Sequence, residues 1–255
     1  MKSIKYILVA FIGVLIIPIF SLFVLSFKST NGIVFKWYIE ILKNESFISA
    51  FINSSLTSLT VGVLTAILSF LISLSYFQRK TRLFIIFSIL VIGLMPPDIV
   101  SISINKFAQI IGFKKSNIGF LIFGLLQYCL PFGIIILWTR YYLIDKNLFI
   151  TSEDLGLNKK SILLKILLPL TKTALISVFL FSFLLTFNEY PRTYYLSGSV
   201  EYLSEFLNGK LSSGTDNSIY AGGTISVIIT CIIIFVYALI MKHKTLTKSV
   251  SLQKP

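Results

Sequence analysis

The chain has 255 residues, of which 55% are hydrophobic and only 13% charged, and its mean hydropathy is +0.87. An ordinary soluble domain carries about 25% charged residues, so the composition excludes one and raises the question of how often the chain crosses a bilayer. The formal charge of +13 comes from short lysine clusters set between apolar runs, which is a membrane-topology pattern and not the basic face of a nucleic-acid binder.

A helical crossing takes roughly 20 apolar residues. Six charge-poor segments meet that length in chain order: residues 6–27, 51–77, 83–105, 117–139, 166–187 and 219–241. None alternates polar and apolar residues as a barrel strand does, so the expected fold class is all-α, one transmembrane domain over residues 1–255. The first segment follows Lys2 and Lys5. It outruns the 7–15 residues or so of a signal-peptide core and lacks a small-residue cleavage pattern, so it is expected as a retained helix.

Inside the third segment Pro96-Pro97 precedes Asp98. A proline pair interrupts the helical hydrogen-bond ladder. Asp98 then reads either as a first-turn acid favoured by the positive end of a new half-helix or as a contact for a substrate. An ionised group at depth costs about 2.5–3.5 kcal/mol, so it should face water or a partner.

Two connections are long: 140–165, and 188–218 after the fifth segment. The second opens with Asn188, Glu189 and Arg192, which are candidates to line a solute path or its gate. Glu189 and Arg192 are three apart, but Pro191 between them argues against a helical pair. The stretch EYLSEFLNGKL at 201–211 reads as a short amphipathic helix, with docking, lining the cavity exit and plain packing all open.

Orientation follows from the basic residues. With the N-terminus in the cytoplasm, fifteen lysines and arginines fall on the inner side and eight on the outer. The positive-inside rule therefore places both termini in the cytoplasm. Cys129 and Cys231 lie in apolar runs and are expected as small buried hydrophobes, and the lone His243 sits in a basic tail. No metal set, nucleophile–base set or phosphate-binding glycine loop is present, so no enzyme activity and no cofactor of its own are expected.

The inner connection carries EDLGLNKKSILLKILLPL at 153–170. Gly156 permits a turn with positive φ, and Asn158 or Ser161 can cap a new helix. Periodicity leaves three readings for this short helix-turn-helix: a helix resting on lipid, a solvated connector, or a docking element for a protein.

The spacing Gly156, nine residues, Ile166, one residue, Leu168-Pro169 resembles the glycine-centred EAA loop of ABC importer permeases, and Asp154-Leu155-Gly156 resembles the D-L-G common there. Ile150, Thr151 and Ser152 stand where that family has Glu-Ala-Ala. PIFSLFVLSF at 18–27, Asn53-Ser54-Ser55-Leu56, MPPDIVSIS at 95–103 and FNEYPRTYYLSG at 187–198 are similar to the polyamine (spermidine/putrescine) type.

The resemblance implies a type I importer permease fold with six transmembrane helices, in a bacterial cytoplasmic (inner) membrane. The loop would couple to a cytoplasmic ATPase pair through Ser152, Glu153, Asp154, Leu155, Gly156, Leu157, Ile166 and Pro169. ATP and magnesium would bind on that ATPase. A second permease subunit, as copy or paralogue, and an extracytoplasmic substrate-binding protein would complete the assembly. Asp98, Asn188, Glu189 and Arg192 would line the path of a polyamine or another small cationic solute. The alternative is a secondary transporter or channel that works without ATP.

Overall fold

The computed structural model describes residues 2–29, 32–33, 35–77, 79–113, 117–145, 147–213 and 217–251. The side chains of Lys2, Lys5, Arg79, Lys80 and Arg82, the residues Lys114, Lys115 and Lys146, and the side chains of the basic tail, His243 included, lie outside the described ones. Twelve α-helices account for nearly all of the described chain, and the strands are one two-residue antiparallel pairing of Lys28–Ser29 with Gly32–Ile33. The all-α expectation holds.

Among the described residues, four helices are long and apolar enough to cross a membrane: Glu45–Ser73, Ile118–Tyr142, Lys159–Phe187 and Asn217–Leu239. A fifth apolar stretch, Gly13–Phe27, is shorter. The chain divides into two compact units, Met1–Ser49 with Phe206–Pro255, and Ala50–Glu205.

The first unit contains α1 (Lys2–Phe27), α2 (Lys36–Lys43) and α12 (Asn217–Ser251). Both α1 and α2 pack on α12. Close approach is possible because Gly222 and Gly223 lack side chains: Ile41 and Phe47 lie near the first, and Leu22 near the second.

The second unit holds most of α3 (Glu45–Ser73), α4 (Arg79–Leu94), α5 (Pro97–Ile110), α6 (Ile118–Tyr142), α7 (Asn147–Asp154), α8 (Lys159–Ile162), α9 (Leu168–Phe187) and α10 (Pro191–Leu196), and the start of α11 (Leu203–Ser213). One core joins Val61 of α3, Val100 and Ile104 of α5, Leu121, Leu125 and Cys129 of α6, Leu196 and Tyr202. A second joins Phe70, Leu137, Tyr141, Leu167, Ala174 and Val178. Buried and half-buried polar groups tie the helices beside these cores. Asn105 Nδ2 donates to the Tyr195 carbonyl at 2.8 Å, the Leu203 amide to Ser54 Oγ at 2.8 Å, and Trp138 Nε1 to the Ser73 carbonyl at 3.1 Å.

Two sequence expectations change. The stretch expected as one crossing at 83–105 is two helices, α4 and α5, broken at Met95-Pro96. Pro96 precedes Pro97 and so takes the extended conformation, φ −57° and ψ 133°. Pro97 then opens α5 at a position where no amide donor is needed. Cys129 is buried as expected, but Cys231, on α12, is exposed.

Small residues set the closest helix contacts. A Cβ added at Gly62 would lie 3.0 Å from the Phe179 carbonyl oxygen, and one at Gly133 only 2.2 Å from Ser69 Oγ. Overpacking of this kind costs about 1–3 kcal/mol. Gly62→Ala is therefore expected to lower the thermal unfolding midpoint in detergent, because the obstacle is backbone. Gly133→Ala should lower it too, with part of the loss recovered by adding Ser69→Ala. An unchanged midpoint for Gly62→Ala would contradict this packing.

Candidate functional site

The loop at 147–170 is built from three local devices. The first is the end of α7. The Leu157 amide donates to the Ser152 carbonyl at 3.1 Å and the Gly156 amide to the Glu153 carbonyl at 2.9 Å, the paired bonds of a Schellman stop. This geometry requires a left-handed residue, and Gly156 supplies it with φ +80°.

The second device is the cap of α8. Asn158 fills it, accepting the Ser161 amide on Oδ1 at 2.8 Å, which settles the choice between Asn158 and Ser161. The third is a π-turn over Leu163–Leu167, closed by the Leu168 amide on the Leu163 carbonyl. Pro169 explains it. A proline ring collides with the carbonyl four residues earlier, here that of Lys165, and widening the turn relieves the collision. The helical path then runs without a break from Lys159 to Phe187.

These devices decide what each candidate coupling residue presents. Ser152 is buried, its hydroxyl on the Leu148 carbonyl, so it holds α7 together and faces inward. Glu153, Asp154, Leu155 and Gly156 are exposed, and Leu155 is 77% exposed. Leu157 is half-buried. No atom lies within 4 Å of a Cβ placed on Gly156. The tip is thus a fixed backbone turn with an apolar side chain standing free. Ile166 is half-buried in the π-turn and Pro169 exposed beside it. Between α7 and the π-turn runs an apolar groove of 520 Å³, lined by Leu74, Phe149, Ile150, Ile162, Leu163 and Leu167, with Glu153 and Lys159 the charged members. Sequence reasoning missed this groove. Pro169 was the available signal for the π-turn that shapes one of its walls.

The second candidate set lies at the far end of α9. Asn188 is the exposed C-cap of that helix. Arg192 and Glu189 form an ion pair, their side chains only 7% and 12% exposed. The expectation that Pro191 would prevent this pair was wrong. Proline is tolerated in a first turn, and Pro191 starts the new helix α10, so the three-residue spacing survives on the entering turn.

Arg192 also lies over the Tyr128 ring, 4.2 Å from its centroid, a cation–π contact that the sequence did not reveal. The Thr193 hydroxyl at 2.7 Å and the Ser204 hydroxyl at 2.9 Å both donate to the Glu189 carbonyl. Asp98 is exposed in the first turn of α5, which is the half-helix reading. The Tyr190 hydroxyl is pushed up first by burial, then by neighbouring groups that include Tyr194, Glu205 and, least, Asp98. Burial likewise holds the Glu205 carboxyl above its usual range, against a Ser197 hydroxyl that donates to it at 3.3 Å.

No protein-family model matches the chain. It is 27% identical over 246 residues, 91% of this chain and 90% of the relative, to the spermidine/putrescine transport system permease protein PotC of Escherichia coli. The PotC protein of Haemophilus influenzae is 26% identical over 239 residues, 89% of this chain and 92% of its own length. Among solved structures, a bacterial ABC transporter involved in the import of the acidic polysaccharide alginate superposes with a TM-score of 0.69 at 18% identity, covering 94% of this chain and 95% of that one. The resemblance read from the loop spacing is thereby borne out. The chain is similar to ABC importer permeases along nearly its whole length, its relatives are transport permeases, and with four apolar helices it is a multi-pass membrane protein.

Proposed function

We propose that this chain is the transmembrane permease subunit of an ATP-driven importer, acting on polyamines or another small cationic solute. In this reading it crosses a bacterial cytoplasmic (inner) membrane six times as one domain, with both termini in the cytoplasm. Two half-helices, α4 and α5, make up the third crossing. ATP and magnesium bind on a separate ATPase pair. A second permease chain, copy or paralogue, completes the path, and an extracytoplasmic binding protein delivers the solute.

The observation that carries the reading is the tip at Asp154–Leu157: a turn locked by two backbone bonds, with Leu155 standing 77% exposed. An apolar side chain on a fixed turn is suited to a protein cleft, and the loop continues into α9. A push on the tip is therefore delivered to a membrane helix. Glu153, Asp154, Gly156 and Leu157 belong to the same contact, with Ser152, Ile166 and Pro169 shaping it from behind. The cationic solute rests on the two PotC relatives and on carboxylates near one end of the second unit: Asp98, Glu189 and Glu205. Asn188 and Arg192 complete that set, and Arg192 is paired with Glu189.

The deciding experiment is reconstitution. Liposomes holding this chain, its partner permease and the ATPase should accumulate labelled putrescine or spermidine only with ATP and binding protein. Accumulation by the chain alone, driven by an ion gradient, would favour a secondary transporter and overturn the proposal.

A further inference from the structure

The short helix α2 presents two apolar faces, and only one is used. Ile41 is 3% exposed, close to Gly222 of α12, and Tyr38 bonds Ser26 through its hydroxyl at 2.7 Å. Phe35, Ile39 and Leu42 form the other face at one helical spacing, and they are 68%, 56% and 54% exposed. Lys36, Glu40 and Lys43 are exposed on the adjoining sector. An unused apolar stripe on an eight-residue helix needs an occupant.

The surroundings of α2 identify it. Three apolar helices end at α2. Phe27, the last residue of α1, has its ring 5.2 Å from that of Phe35 and 5.1 Å from that of Tyr38. The Lys28 carbonyl accepts both Trp37 Nε1 at 3.0 Å and Asn217 Nδ2 at 2.8 Å, and Asn217 is the first residue of α12. Asn44 alone separates α2 from α3, and its side chain caps that helix at the Phe47 amide. In a chain that spans a bilayer, the level at which the apolar helices α1 and α12 of the first unit end lies at the boundary between hydrocarbon and water. Side chains at that level meet headgroups on their polar side and acyl chains on their apolar side.

We infer that α2 is a membrane-surface anchor, with Phe35, Ile39 and Leu42 sunk into the acyl boundary of the bilayer and Lys36 and Lys43 on lipid phosphates. Lysines at either end of an apolar stripe complement a phosphate surface, and Trp37 is the aromatic residue expected at that depth. The bond from Trp37 and the Phe27–Tyr38 contact transmit this anchoring to α1 and α12, so the lipid surface fixes the height of that helix pair.

The test uses the full chain with Cys231→Ala, in nanodiscs of phosphatidylethanolamine and phosphatidylglycerol; Cys129 is fully buried and can stay. Single spin labels are placed at Ile39→Cys and Glu40→Cys, and their collisions with oxygen and with a water-soluble nickel chelate are compared. Immersion by about 5–10 Å predicts that the label at 39 favours oxygen and the label at 40 favours nickel, with ratios about fivefold or more apart. Equal nickel access at the two positions would mean that the face meets water. A label at 39 shielded from both reagents would mean that protein covers it. Either result overturns the anchor. If Ile39→Cys fails to fold, Leu42→Trp quenched by bromine-labelled lipid gives the same reading, and absence of quenching counts against the anchor.

Discussion

Replacing Gly156 with proline should bring ATP-driven uptake to background while leaving the chain folded in the membrane. Gly156 sits at φ +80°, and proline is fixed near −65°. The substitution also deletes the amide that donates to the Glu153 carbonyl. Both bonds of the stop are lost, at about 3 kcal/mol or more, and α7 then has no defined exit.

Gly156→Ala isolates one of the two effects. It keeps the amide and pays only the left-handed penalty of about 1–2 kcal/mol. No neighbouring atom obstructs its methyl group. An intermediate, roughly tenfold loss of uptake is expected from a penalty of that size. The paired readouts are co-purification with the ATPase and uptake in proteoliposomes, with circular dichroism as the folding control. Normal uptake by Gly156→Pro would mean that the turn transmits nothing.

The legible parts of this molecule were those fixed by local chemistry. Composition and run length gave an all-α membrane chain. Gly156 announced its turn because only glycine adopts positive φ without strain. Asn158 was legible as one of two possible caps, and geometry chose between them. What stayed hidden depends on groups distant in sequence. Nothing in the run around Tyr128 shows that its ring will lie over Arg192, 64 positions later. The groove beside the loop needs Leu74, the first residue after α3, together with Leu163 and Leu167.

The pairing of Glu189 with Arg192 was misread for a different reason. In the sequence Pro191 reads as a break inside a helix, and in the structure it is the start of one. Cys231 departs from its expected burial because an apolar run in a membrane chain need not pack against the chain's own helices, and Cys231 is exposed on α12. The α4–α5 break was written in Pro96-Pro97, yet a hydropathy window averages across it.

Removing Arg192 should destabilise the second unit more than any single change on its surface. Arg192→Ala would leave the Glu189 carboxylate, only 12% exposed, without its counter-charge and would take the cation from the Tyr128 ring. Breaking a buried pair from one side costs about 3–5 kcal/mol, and the unfolding midpoint in detergent should fall accordingly.

Glu189→Gln combined with Arg192→Met removes the stranded charge. The midpoint should return most of the way, because a buried pair is often replaceable by neutral groups of similar volume. Uptake separates the structural role from a role in the path. If Glu189 meets the solute, the restored double variant still needs a higher solute concentration for half-maximal uptake. If both the midpoint and the concentration dependence return to wild-type values, Glu189 only holds α10 in place, and the carboxylates that meet a cation must be sought at Asp98 and Glu205.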